Sequence, residues 1–123
     1  MVKIYISGPI SDLINGGIIK GVEEQFKGTV DFLKAEYPNA EIYNPVLHGI
    51  KNIDKPWIWH ITYCINKLVD DKFTHIYMMQ GFGNSYGCVI ELSVSRKTGI
   101  QPIFPVVNDT GIIIPMEVND GVI

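Results

Sequence analysis

The stretch Gly81 to Glu91, GFGNSYGCVIE, decides how this chain folds. Ahead of it stands a short apolar run, Ile76, Tyr77, Met78 and Met79, bounded by a glycine cluster as a buried strand is. Behind it, Val89, Ile90, Leu92 and Val94 lead to Arg96, Lys97 and Gly99, the apolar body, basic last turn and glycine stop of a helix. The pattern predicts a strand, a glycine loop and a helix. Gly81, Gly83 and Gly87 allow close backbone approach to a ligand, and the free N–H groups where the helix begins, near Asn84 and Ser85, favour an anionic or electron-rich group. Ser85 reads equally as an N-cap. Helical side chains lean toward the N-terminus, so Glu91 is expected over position 87, where glycine leaves its carboxylate open to whatever the loop holds. Glycine turns and helical glutamates also occur without function, so both readings stay open on these residues alone. The dinucleotide fingerprint is excluded, because its third glycine would fall at Tyr86.

A chain of 123 residues fits one domain, 1–123, able to bury roughly 65% of its unfolded surface. A formal charge of −3 with 46% hydrophobic residues lacks the basic excess of a nucleic-acid binder. Cys64 and Cys88 have no metal-ligand spacing and read as reduced core thiols. His48, His60 and His75 are scattered, and each is expected to be a surface or capped side chain rather than a ligand; no metal and no cofactor is expected. The opening MVKIYISGP is too short an apolar stretch for a signal peptide, and nothing approaches the ~18 apolar residues of a membrane span. The expectation is a cytoplasmic protein with no membrane partner.

In chain order, Val2 to Ser7 reads as a central parallel strand ending at Gly8 and Pro9. A loop through Ser11, Asp12, Asn15, Gly16, Gly17 and Gly21 follows, either a linker or a lid over the strand's C-terminal end. Val22, Phe26, Val30, Leu33 and Tyr37 mark a helix face, and Glu41 to Tyr43 is a short second strand. Residues 46–56 read as loop, after which Ile58, Ile61, Ile65 and Leu68 form a second helical stripe. Trp57 and Trp59 at its start are either core or the stacking walls of a base pocket. Ile100 to Val107 is a fourth strand whose Pro102 and Pro105 point toward an edge or strand end. The apolar tail, Ile112 to Val118, is expected to pair as a last strand or to dock on another subunit. The alternation predicts a doubly wound parallel α/β sheet of four or five strands with helices on both faces, and the order 2-1-3-4-5 is the expectation that would open a ligand crevice. The connections of strands one and three then leave to opposite faces, and the two glycine loops flank one crevice.

Together KIYISGPI, the pair Asn44 and Pro45, and GFGNSYGCVIE resemble the nucleoside 2-deoxyribosyltransferase-like superfamily over residues 2 to about 105. That superfamily includes nucleoside deoxyribosyltransferases, nucleotide N-glycoside hydrolases and small phage-encoded relatives, on a flavodoxin-like fold. Ser85, Gly87 and Glu91 match the hydrolases' Ser-x-Gly-x-x-x-Glu, which implies phosphate contact, close approach and the nucleophile on the anomeric carbon. Tyr5 matches the tyrosine that attends the nucleophile. The resemblance makes Glu91 and Tyr5 the catalytic candidates. Ser7, Gly8, Pro9, Ile10, Asn44, Trp57, Gly81, Gly83, Asn84, Ser85 and Gly87 are the ligand-binding ones. It also implies a homo-oligomer assembled through helix faces beside the site.

One departure bears on chemistry: where the family has an aspartate just before the third strand, this chain has Thr74, which transfers no proton. Ser85 in place of the transferases' aspartate favours a phosphorylated ligand. The resemblance implies cleavage or transfer at the N-glycosidic bond of a nucleoside 5'-monophosphate or related nucleotide. The alternative is a non-catalytic protein that keeps the pocket and sequesters or senses a nucleotide, as a phage decoy would.

Overall fold

The computed structural model describes residues 1–9 and 19–118. Ile10 and most of the expected lid, residues 10–18, lie outside them. Strand β1 (Lys3–Ser7) is followed by helix α1 (Ile19–Glu36), strand β2 (Glu41–Tyr43), helix α2 (Val46–Lys51) and helix α3 (Trp57–Asp70). Strand β3 (His75–Met78), a 3-10 turn (Phe82–Asn84), helix α4 (Tyr86–Thr98), strand β4 (Gln101–Val107) and strand β5 (Ile113–Glu117) complete the order.

The sheet runs β2-β1-β3-β4-β5, mostly parallel and flanked by helices, a flavodoxin-like arrangement. β1 is central and buried, so its period of two divides the interior into two layers. Ile4 and Ile6 meet Phe26 and Leu33 of α1 on one face. Tyr5 faces the other, with Leu68 of α3 and Cys88 and Leu92 of α4. Ser7 shares the Tyr5 face, and this alternation carries two hydroxyl groups toward α3 and α4.

Gly8 follows β1 at a close approach, where a Cβ would overlap the Phe26 ring and the Met79 thioether. Gly81, at φ +86, supplies the left-handed residue that turns β3 into the 3-10 segment, and Gly99, at φ +80, stops α4.

The structure corrects four expectations. Gly21 belongs to α1 rather than to the preceding loop, and residues 46–51 form α2, started by the Asn44 side chain accepting the Val46 N–H at 3.0 Å. β4 is an interior strand despite its prolines, because β5 pairs beside it with Pro105 opposite Pro115. β5 is antiparallel, since it returns through a tight turn in which Asn108 Oδ1 accepts the Thr110 and Ile112 N–H groups. The tail therefore packs on its own sheet, with Ile112, Ile113 and Met116 exposed.

Candidate functional site

The buried face of α4 is Cys88, Glu91, Leu92 and Ser95, a helical stripe in which a carboxyl group occupies a core position. Glu91 is only 5% exposed. Two hydroxyl groups from β1 reach it: Tyr5 donates to Oε2, and Ser7 donates to Oε1 at 2.8 Å. Burial lifts the Glu91 carboxyl from 4.5 to about 7, against the opposing pull of the Tyr5 and Ser7 hydrogen bonds. Burial, reinforced by the Glu91 charge, pushes the Tyr5 phenol well above its ordinary range, so Tyr5 stays a donor. The Cys64 thiol, also buried near Glu91, is pushed up to about 12 and is not a thiolate.

Glu91 forms the floor of a narrow cleft at the C-terminal end of β1, with a cavity volume of about 50 Å³. Tyr5, Gly8, Ser85, Gly87 and Trp57 line it, and so do Pro45, His48 and Gly49 from the segment after β2. The carboxyl lies beside Tyr5 at the floor, as expected, and is held in the core by the two β1 hydroxyls. A Cβ at Gly87 would meet only ordinary contacts, Ile61 Cδ1 at 3.4 Å and Ser85 Oγ at 3.8 Å. Packing demands glycine at position 8 but not at 87. What a side chain at 87 would take is space in the cleft.

The remaining candidate residues divide. Ser85 lines the cleft and is also the N-cap of α4, accepting from the Cys88 N–H at 3.4 Å. Trp57 stands at the rim, 42% exposed, while Trp59 turns away to stack on His48 and Tyr63. Gly81, Gly83 and Asn84 shape the turn beside the cleft without lining it. Asn44 caps α2 with its side chain, and Pro9 faces a separate groove with Phe32 and Tyr77 on the α1 side of the sheet.

Thr74 is not at this site. Its hydroxyl accepts the Lys3 N–H at 2.8 Å and lies 2.7 Å from His75 Nδ1, at the end of the sheet where β1 and β3 begin. Four residue steps along β1 separate Lys3 from Ser7, ~13 Å of strand. His75 is tied to Glu117 at 2.9 Å, and Tyr37 donates to the same carboxylate, so this cluster fastens β5 rather than serving the cleft.

Sequence reasoning missed His48, His60 and Cys64, all of which line the cleft. The stripe chosen for α3 began at Ile58, which is 61% exposed. The stripe does hold both buried residues of the helix, Ile61 and Leu68, and what it left out is Trp57, His60 and Cys64, which line the cleft with Ile61. Burial, then the neighbouring His60, lowers the basicity of His48. His60 Nε2 is sealed from solvent and has no hydrogen-bond partner among the described residues, contrary to the expectation of a surface or capped ring. No cluster of three metal-binding side chains occurs among the described residues, and no described helix is long and apolar enough to cross a membrane.

Fold and site together define an α/β protein with a buried, hydroxyl-bonded carboxyl group at the carboxyl edge of its sheet. The chain belongs to the family described as a domain of unknown function, DUF4406, whose model matches residues 2–104. Neither the curated proteins nor the solved structures yielded a match.

Proposed function

We propose that this protein binds a nucleotide in the Glu91 cleft and cleaves, or transfers at, its N-glycosidic bond. The observation that carries the reading is the Glu91 carboxyl at the cleft floor, desolvated and held by Tyr5 and Ser7. A carboxyl lifted to about 7 divides between its two forms near neutrality, and its ionised form can capture an oxocarbenium-like anomeric carbon. The likeness of KIYISGPI and GFGNSYGCVIE to the nucleoside deoxyribosyltransferase-like superfamily supports the same chemistry. The phosphate of a 5'-monophosphate would rest on Ser85 at the N-terminus of α4, the positive end of its dipole.

A second reading, a non-catalytic nucleotide binder, is favoured by one observation: Glu91 is the only carboxyl group among the described residues lining the cleft. Retaining cleavage ordinarily uses two. Incubation with nucleoside 5'-monophosphates separates the readings, since free base and sugar phosphate support the enzyme. Intact ligand recovered from a tight complex supports the binder. Absence of both release and binding removes the nucleotide assignment. Self-association belongs to the same proposal, supported by the exposed Ile112, Ile113 and Met116 on β5, and a monomer in light scattering at tens of micromolar would end it.

A further inference from the structure

A cleft with one carboxyl nucleophile needs another proton donor for the departing base. We infer that His60 is that general acid, its Nε2 delivering a proton to the base as Glu91 captures the sugar. The inference rests on the N-glycosidase reading.

Three observations carry it. His60 lines the same cleft as Glu91. Its Nε2 is buried without a partner among the described residues, a condition that costs free energy until something supplies a hydrogen bond, and the residue that carries it lines the cleft. The third is its level on α3. Cys64 adjoins the Tyr5 hydroxyl and feels the Glu91 charge, so it marks the floor. His60 sits four residues back along the helix, ~6 Å of rise toward the mouth. Retaining glycosidases hold their two carboxyl groups, acid and nucleophile, roughly 5–5.5 Å apart on either side of the bond that breaks, a separation of the same order. Trp57, another turn out, is placed to cover the base beyond. His48 is the competing ring, but burial and its neighbour lower its basicity, and its faces are stacked on Tyr63 and Trp59.

In the first step a Glu91 carboxylate oxygen bonds to the anomeric carbon as the carbon–nitrogen bond breaks. The bonding pair leaves with the base, and the imidazolium Nε2 proton passes to it. In the second, neutral His60 takes a proton from water as the water oxygen displaces Glu91, which restores carboxylate and imidazolium and releases sugar phosphate. Atoms and charge balance with water as the only co-reactant.

The test compares two substrates on wild type and His60→Gln: a purine nucleoside 5'-monophosphate and its N7-methylated form, whose cationic base leaves without being protonated. Loss of a general acid should slow the first-turnover burst of ordinary base by roughly 10²-fold or more and spare the burst from the methylated substrate, whose later turnovers then slow because the second step lacks its base. That retained burst also reports an intact fold and nucleophile in the variant. Equal losses of the burst on both substrates, or no loss on the ordinary one, overturn the role of His60 while wild-type turnover upholds the N-glycosidase. A wild type that releases base from neither substrate overturns that reading, and the inference with it.

Discussion

The Ser7 hydroxyl donates to Glu91 Oε1 across 2.8 Å, joining residues 84 positions apart in the chain. With the Tyr5 hydroxyl on the other carboxyl oxygen, it fixes both atoms of the group toward β1 and leaves the carboxyl plane with one defined orientation at the cleft floor. Such preorganisation suits a nucleophile and suits a sugar-binding acceptor.

Glu91→Gln distinguishes these roles. Gln keeps the shape and removes the charge, so a nucleophile's loss should cut base release by ~10³ or more while nucleotide binding persists in titration. Undiminished release by the variant ends the nucleophile assignment.

Glu91 should also leave a signature in stability against pH. Its folded carboxyl, raised to about 7, holds a proton that the unfolded chain gives up near 4.5. As pH climbs through that window the unfolded state gains by ionising and the folded state does not, so stability falls, by about 3 kcal/mol in all, and levels off above about 7. Urea denaturation of wild type and Glu91→Gln at pH 5 and pH 8 isolates the effect, because the variant lacks this titration. A wild-type-minus-variant difference that does not change with pH would remove it.

The two cleft glycines should separate stability from binding. Gly8→Ala forces a methyl group against Phe26 and Met79 and should destabilise by about 1–3 kcal/mol. Gly87→Ala meets only ordinary contacts, so thermal unfolding should change little, while the methyl group narrows the cleft and weakens nucleotide binding. Unaltered nucleotide affinity in a folded Gly87→Ala protein would place the ligand elsewhere.

Thr74→Asp should create no activity. The position lies ~13 Å of strand from the Ser7 end of β1, and the change removes a hydroxyl bonded to Lys3 and His75. Base release that rises in this variant would contradict the described geometry.

Much of the architecture was legible because it follows from local rules. The alternating β1 residues, the glycine between β3 and α4, and the Gly99 stop each dictate their element with little help from the rest of the chain. The remoteness of Thr74 was legible in principle too, since a residue before a parallel strand and a loop after it lie at opposite ends. The full inner face of α3 was not: the stripe read from the sequence holds its two buried residues, Ile61 and Leu68, but includes the exposed Ile58 and leaves out Trp57, His60 and Cys64, which line the cleft.

The sequence by itself determined that Tyr5 and Ser7 share one face of a central strand and that Glu91 follows a glycine loop on a helix. Only the tertiary structure decided that Ser7 joins Tyr5 on the Glu91 carboxyl, that His60 Nε2 is left without a partner among the described residues, and that the Glu91 carboxyl holds its proton to about pH 7. Periodicity is a property of neighbouring residues, whereas the dielectric around a carboxyl depends on atoms brought from β1, α3 and α4, which are distant in the chain.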